Sequence, residues 1–506
     1  MRNRITLPYD VWYYVATFLP LPALEKLISV HRAFLHIFIK RQYNEVIFPT
    51  IYYPEKVRLH RNTSPKILNH VTTLVLDLHA FRFKGLSKHI RFIGSIAKAT
   101  LRLLQRRNAR APVPSQFEQA YKLIETIQAI PELRSLIIKI SCISLCKEDS
   151  LRLRAGAAFI SATLLVHAKN IRRLSLSGAY YVPLLFESLK LPALEEFSVA
   201  FDCLLPREET LSLLISFLTR HKEGLKTISI SIRGHDHGLL LRPLDPSYLF
   251  GRLPLFPRLI NLSMLMDSDV IIDNIEYFVR KQPSTLQNVE LQVFEAPMDP
   301  WMDPTLRNLL AQPIFQVGLP GISTLKLSPI TKYKKRDEIH VLMKGFGLYL
   351  RRLCSSLADL ILDFRVPVCS LQHIFSPNER WEKLCIRSLT IHTCGLSPLV
   401  LFNIHKHLPC LTELDWTVSR CIACGEPGHE WGEVHELSPK HRYGMEIDRF
   451  VSGLEQLDLK SSSLRRLTIR HFGQWYRSKL SGRVQAVFEA AFLPNVSVQF
   501  ISLDDG

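Results

Sequence analysis

Two cysteines and two histidines in one short segment have the residue types and the spacing of a metal site. Cys421 and Cys424 are separated by two residues, His429 follows a glycine-containing turn, and His435 lies six positions further on. Two thiolates and an imidazole at this spacing can share a tetrahedral zinc ion, and glycine permits the tight turn between them. The fourth ligand is open between His435, His441 and water. A loop with free cysteines is the alternative interpretation.

The segment from Cys421 to His429 resembles a zinc knuckle, because it reads Cys-x2-Cys-Gly-x2-Gly-His. The knuckle family has a further cysteine five residues after the histidine, where this chain has Val434, followed directly by His435. The resemblance implies that one structural zinc ion would act as a local staple inside a long loop. We predict no other cofactor.

The remaining reactive side chains form no recognisable catalytic set. The chain contains ten cysteines and nineteen histidines. It has no glycine-rich phosphate loop, no Gly-x-Ser-x-Gly elbow and no His-Glu-x-x-His pair. We therefore predict that the protein is not an enzyme and acts by binding other molecules.

The first fifty residues predict two or three short amphipathic helices joined by a proline turn. Apolar residues recur at helical spacing on both sides of the break at Pro20 and Pro22. Pro8 suits a first helical turn, and Thr6 upstream of it suits a helix cap. The simplest interpretation is a helical cap on the domain that follows.

This segment also resembles the F-box family over about residues 5–46. The family pattern is a Leu-Pro start, an apolar residue three positions after the proline, a Phe-Leu-Pro end to the first helix, spaced leucines and a Val-x-Arg-x-Phe segment. The chain departs from the pattern at His31, where the family often has Cys or Ser. The resemblance implies docking on a Skp-type adaptor of a cullin–RING ubiquitin ligase through ten residues: Leu7, Pro8, Val11, Phe18, Leu19, Pro20, Leu24, Leu27, Val30 and Phe34.

Beyond residue 70, one six-residue frame recurs: apolar, two others, apolar, one other, apolar. The two positions between the first and second apolar residues are polar in nearly every copy, which chance would not produce. The intervals between frames mostly suit one strand plus a helix or an irregular return. The frames begin at Val71, Leu133, Ile171, Leu194, Leu225, Leu259, Leu286, Ile322, Leu357, Ile386, Leu411 and Leu464.

These frames resemble irregular leucine-rich repeats over about residues 71–500. The resemblance implies an α/β solenoid, with a curved parallel sheet and helices on its convex side. The rival is an ordinary α/β domain with a parallel sheet. We predict an F-box at 1–48, a linker at 49–70 and a solenoid at 71–500, with a basic helical insertion at 80–117 and a Cys/His insertion at 418–445.

The predicted concave face is close to neutral although the chain has a formal net charge of +18. The third, fifth and seventh frame positions include fifteen Ser or Thr, five Lys or Arg and seven Asp or Glu, which disfavours a groove that tracks phosphates. The late acidic residues are candidate contacts for a basic segment of a target protein, or simply solvated carboxylates: Asp359, Asp363, Glu413 and Asp415.

The positive charge is concentrated from Arg82 to Arg110, where nine Lys or Arg occur without an acidic residue. An apolar stripe at helical spacing runs through this segment, which predicts a basic amphipathic helix. Such a helix suits nucleic acid or a membrane surface. Alternatively, it covers an end of the array and exposes a solvated outer face.

We therefore predict a substrate-recognition subunit of a Skp–cullin–F-box ubiquitin ligase that binds an unknown target protein through its repeats. The alternative is a nucleic-acid- or chromatin-associated protein that uses residues 82–110 and the Cys/His insertion. The chain shows no signal-peptide pattern and no run of about 18 apolar residues, so we expect no membrane span. A location in the cytoplasm or nucleus is the resulting expectation.

Overall fold

The computed structural model describes part of the chain, and these residues form two compact units, 1–231 and 232–506. The described residues are 7–49, 68–77, 127, 129–139, 160, 163–178, 189–201, 208–232, 247–267, 275–282, 285–294, 322–330, 350, 357–366, 385–393, 398–418, 452–454, 463–471, 486, 490 and 496–502.

The first unit begins with helices and continues as a parallel sheet. Its strands lie in chain order, each beside its neighbour in the sequence. Its elements are α1 (Tyr9–Phe18), α2 (Leu21–Leu27), α3 (Arg32–Gln42), β1 (Glu45–Pro49), β2 (Thr73–Asp77), β3 (Ser135–Lys139), β4 (Arg173–Ser177), β5 (Glu196–Phe201), α4 (Glu208–His221) and β6 (Thr227–Ile232), whose last residue lies at the start of the second unit.

The second unit is also a parallel sheet with its strands in chain order. Its elements are α5 (Ser247–Arg252), β7 (Asn261–Asp267), α6 (Ile275–Lys281), β8 (Asn288–Phe294), β9 (Thr324–Ile330), β10 (Asp359–Val366), β11 (Ser388–Thr393), α7 (Pro398–His407), β12 (Glu413–Val418), β13 (Arg466–His471) and β14 (Ser497–Ser502).

Every predicted repeat frame is a strand, and each strand begins at the third frame position. In β4, for example, Leu174 and Leu176 are buried while Arg173, Ser175 and Ser177 are not. Alternation of this kind follows from the two-residue period of a strand with one packed face. The sequential strand order resembles a leucine-rich-repeat solenoid and differs from the reversed order of a doubly wound sheet.

The sheet begins earlier than the sequence predicted, because β1 pairs in register with β2. This strand lies at the end of the predicted F-box segment, so the sheet extends from β2 back to Glu45. Tyr43 and Asn44 precede it, and the segment from Tyr43 to Phe48 fits the frame. The last strand, β14, was missed because Asn495 occupies the first, apolar frame position.

Buried side chains pack on one face of the sheet in each unit. In the first unit, Phe197 of β5 packs on Phe217 of α4 with ring centroids 5.2 Å apart. In the second unit, Trp416 of β12 is fully buried, and its indole Nε1 donates a hydrogen bond of 2.7 Å to Thr393 Oγ1. Such a bond satisfies the indole N–H in an apolar core. None of the helices in the described part of the chain has the length and apolar character that a membrane span requires.

Candidate partner-binding surfaces

Helix α1 exposes one continuous apolar face, which we call the α1 stripe. It comprises Leu7 just before the helix and Val11, Tyr14, Val15 and Phe18 within it. Phe18 is 69% exposed and Tyr14 is 66% exposed, and their rings lie 4.8 Å apart. Residues spaced by three and four positions share a helix face. An exposed apolar patch on a packed element is a candidate interaction surface.

A small core fixes the opposite face of α1 against α2 and α3. It is formed by Ala16, Leu24, Phe34 and Ile37, with Trp12, Tyr13 and other partly buried side chains packed around it. Because the core side chains come from all three helices, they determine how α1 is oriented. The α1 stripe is therefore presented by a packed element and not by a loop.

The ten residues predicted to bind an adaptor separate into two groups. Leu24 and Phe34 are buried in the helical core, where they pack against the other helices, and their part in adaptor binding stays a prediction. Leu19 and Leu27 are half-buried against the same core. Six of the ten are exposed and remain available to a partner: Leu7, Pro8, Val11, Phe18, Pro20 and Val30.

Side chains of α3 and its cap hold the ends of these helices. His31 caps α3, because its Nδ1 accepts a hydrogen bond of 3.2 Å from the backbone N–H of Ala33. Arg41 donates a hydrogen bond of 2.6 Å to the carbonyl of Leu19 and another to the carbonyl of Thr17. A cation at the carboxyl end of a helix satisfies free carbonyls and complements the helix dipole.

The helices continue directly into the sheet of the first unit. The carbonyl of Asn44 accepts hydrogen bonds from the backbone N–H groups of Thr72 (3.0 Å) and Thr73 (2.9 Å). The ring of His36 on α3 lies 5.4 Å from that of His70. Burial, followed by the electrostatic effects of the neighbouring His36 and Lys40 side chains, lowers the pKa of His70. These contacts tie the end of α3 to the first strands of the sheet.

In the second unit, the solvent-facing side of β7, β8 and β9 carries a polar network centred on Glu290. Its carboxylate accepts hydrogen bonds from Ser263 (3.0 Å) and Gln292 (2.5 Å) and pairs with Lys326 at 2.7 Å. Burial raises the pKa of Glu290, but the bonds from Lys326, Gln292 and Ser263 outweigh it and lower the pKa overall. The carboxylate is therefore ionised and already compensated.

The late acidic residues face cations on the next strand. Arg470 binds Asp415 through two nitrogens at 2.8–3.0 Å, and Glu413 lies 3.5 Å from Arg466. The hydrogen bonds to Asp415 raise the pKa of Arg470 against the effect of burial.

Asp359 is also engaged, since its carboxylate accepts a hydrogen bond of 3.2 Å from Thr324. Asp363 lies in β10, but its side chain is outside the described residues. Glu413 and Asp415 therefore offer less unpaired charge than the sequence indicates. Their contact with a basic target segment stays a prediction.

The predicted metal ligands Cys421, Cys424, His429 and His435 lie outside the described residues, as does the basic segment Arg82–Arg110. Within the residues that are described, no group of three or more His, Cys, Asp or Glu side chains could hold a metal ion. The zinc site and the nucleic-acid alternative both stay predictions.

Sequence reasoning missed a set of buried polar side chains that connect consecutive repeats. His167, His221 and Gln282 each lie four positions before a repeat frame. His221 Nε2 accepts a hydrogen bond from the backbone N–H of Leu191 at 3.0 Å, and Gln282 Oε1 accepts one from Phe256 at 3.0 Å. The fixed offset of His or Gln from the frame was the available signal.

The comparisons with known proteins add little to this picture. No protein-family model matches the sequence, and no curated protein matches it. The solved structures that resemble this chain include a Bacteroides fragilis protein determined as a structural-genomics target. The match covers 55% of this chain and 85% of the Bacteroides chain, with 13% sequence identity and a TM-score of 0.27. Because that TM-score is too low to support a fold assignment, the assignment rests on the strand order and register.

Proposed function

We propose that this protein is a non-catalytic adaptor that recruits a target protein to a Skp–cullin–F-box ubiquitin ligase. The α1 stripe docks on a Skp-type adaptor, and the solvent-facing side of the repeat sheet binds the target. Holding two reactants in proximity accelerates transfer without chemistry from the protein that holds them. The F-box assignment comes from the resemblance of the sequence from Leu7 to Phe34 to the F-box family pattern.

The observation that carries the proposal is the exposure of the α1 stripe. Val11 and Phe18 match the F-box pattern and do not contribute to the core, whereas Leu24 and Phe34 match it and form the core. A pattern that served only folding would have no reason to keep Val11 and Phe18 apolar at the surface. An amphipathic helix that lays its apolar face in a groove is a common recognition mode.

The proposed target is a protein because the described sheet surface is polar and internally compensated. Glu290 is paired with Lys326, and Asp415 is paired with Arg470. Nucleic acid would require a row of uncompensated cations along the surface. Hydroxyl side chains such as Ser175, Thr390 and Thr417 suit hydrogen bonding to a polypeptide.

A binding experiment with a purified Skp-type adaptor tests the proposal. Replacing both Val11 and Phe18 by Asp removes two apolar contacts of roughly 1.5–3 kcal/mol each, so we expect affinity to fall at least about 100-fold. The matched control is Leu165→Asp, because Leu165 is 53% exposed and lies in the first unit away from α1. Circular dichroism verifies that each variant is folded.

Two outcomes contradict the proposal in different ways. If the intact protein does not bind the adaptor, the assignment as a ligase adaptor is wrong. If the Val11→Asp, Phe18→Asp variant binds as tightly as the intact protein, the ligase assignment survives but the α1 stripe is not the interface.

A further inference from the structure

Two exposed cysteines occupy equivalent positions in consecutive repeats of the second unit. Cys385 and Cys410 each precede the apolar residue that opens a frame, and these residues, Ile386 and Leu411, are buried. Strands β11 and β12 pair in parallel with Ser388 opposite Glu413. Each cysteine lies three residues before its member of that pair. The two cysteines therefore occupy equivalent register positions on adjacent segments, a pair of positions that we call the rung.

The rung brings the two cysteines within the reach of a disulfide. The carbonyl of Arg387 accepts hydrogen bonds from the backbone N–H groups of Thr412 (2.8 Å) and Glu413 (2.9 Å). These bonds hold the two backbone segments side by side. Adjacent strands lie about 4.8 Å apart, and disulfides span Cα separations of about 4.4–6.8 Å.

The two thiols also lie close together and are open to solvent. The side chain of Cys385 is near enough to the Cys410 thiol to help raise its pKa, and both residues are exposed and unbridged. A small reagent can therefore reach either sulfur, and the second thiol is in place to react with whatever the first one forms. The strand register, the proximity of the two side chains and their exposure all favour a reaction that joins the two thiols.

We propose that Cys385 and Cys410 form a dithiol that a low-molecular-weight disulfide, such as oxidised glutathione, converts into a disulfide between the two repeats. One thiolate attacks a glutathione sulfur, forms a mixed disulfide and expels one glutathione thiolate. The second protein thiolate then attacks the mixed disulfide at the protein sulfur and expels the second glutathione thiolate. The protein loses two protons and two electrons, and one oxidised glutathione becomes two reduced molecules.

The surroundings of Cys410 determine how this reaction depends on pH. Burial and the neighbouring Cys385 raise the pKa of the Cys410 thiol, while the positive charge of Arg387 lowers it in part. Because only the thiolate attacks a disulfide, we expect bridging to accelerate as the pH rises.

The bridge would join repeats that are already paired, so it would close without moving a strand. Its main effect would be to restrict the unfolded chain between the two cysteines. We therefore expect the oxidised protein to melt at a higher temperature than the reduced protein. This inference does not depend on the proposed function.

The test uses the full chain, reduced and then equilibrated with mixtures of oxidised and reduced glutathione. Mass spectrometry of a non-reducing digest locates the crosslinks among the ten cysteines. We expect a Cys385–Cys410 crosslink in the native protein that a thiol reductant reverses. Cys385→Ser and Cys410→Ser should each abolish it, whereas Cys203→Ser should retain it.

Three outcomes would overturn the inference. They are glutathione adducts on Cys385 or Cys410 without a crosslink, crosslinks of these cysteines to other partners, and a Cys385–Cys410 crosslink that forms only in denaturant.

Thermal unfolding supplies a second readout. Oxidation should raise the melting temperature of the intact protein by several degrees and leave that of Cys410→Ser unchanged, and an equal shift in both would also overturn the inference.

Discussion

His31 shows how one residue can depart from a sequence pattern and still keep its structural role. Its Nδ1 caps α3 through Ala33, and its ring stacks on Trp12 with centroids 5.5 Å apart. The F-box pattern often has Cys or Ser at this position, and a serine oxygen can cap a helix in the same way. The departure at His31 therefore preserves a cap and adds an aromatic contact between α1 and α3.

Replacing His31 separates the cap from the stacking contact. His31→Ala removes both and should destabilise α3 by about 1 kcal/mol, which corresponds to roughly fivefold faster amide hydrogen exchange in residues 33–42. His31→Ser keeps a capping oxygen and should retain most of the protection. If His31→Ser exchanges as fast as His31→Ala, stacking on Trp12 is the more important contact.

At the scale of elements, buried side chains near the ends of α4 and α6 join a repeat to the one before it. His221 ends α4, and its Nδ1 donates a hydrogen bond of 2.8 Å to the carbonyl of Phe217 while its Nε2 accepts one from Leu191. Gln282 makes the equivalent pair of bonds, to Phe278 and Phe256. The accepting nitrogen of His221 must be unprotonated for this connection to form.

Protonation of His221 should therefore weaken the first unit in acid. Burial lowers the pKa of His221, although its bond to Phe217 opposes the change. In the unfolded chain the imidazole of His221 binds a proton as the pH falls to about 6.5, whereas in the folded chain it stays unprotonated at that pH. Stability is present above about pH 6.5 and is lost as the pH falls through that value toward the lower folded pKa.

His221→Gln tests this connection, because glutamine already performs the same role at Gln282. At about pH 7.5 we expect the variant to have nearly the melting temperature of the intact protein. On acidification to about pH 5.5, the melting temperature of the variant should fall less than that of the intact protein. His167 remains as a common background in both proteins. An identical pH dependence of the two melting curves would contradict the assignment.

The repeat frame was predictable because strand periodicity is written directly in the sequence. Leu174 and Leu176 alternate with Ser175 and Ser177, and the fold places them on opposite faces. The exposure of the α1 stripe was only partly predictable. Phe18 and Leu24 are both apolar positions of the F-box pattern, yet Phe18 is exposed in the α1 stripe and Leu24 is buried in the core. That distinction depends on how three helices pack. The partner of Asp415 was also hidden, because Arg470 is far away in sequence and adjacent only in the sheet.

At the scale of the whole molecule, the sheet register of the second unit tolerates intervals of very different length. Ser388 pairs with Glu413 after 25 residues, and Glu413 pairs with Arg466 after 53 residues. The extra length, which contains the predicted zinc ligands, lies between β12 and β13 and does not change their register.

We expect one zinc ion per chain in purified protein, and Cys421→Ser with Cys424→Ser should abolish it. Because the insertion leaves the sheet register unchanged, loss of the metal should leave amide protection in β12 and β13 within about twofold of the intact protein. Metal analysis and hydrogen exchange measure the two effects. Absence of stoichiometric zinc would remove the metal site from consideration.

The chain-order pairing of the strands also has a consequence for how each unit folds. Every strand that has formed offers a free edge to the strand that follows it in the sequence, so ordering can start at any adjacent pair and spread outward. Loss of order can likewise begin at one repeat and leave its distant neighbours intact. Denaturant should therefore unfold each unit in stages, with midpoints that differ along the array.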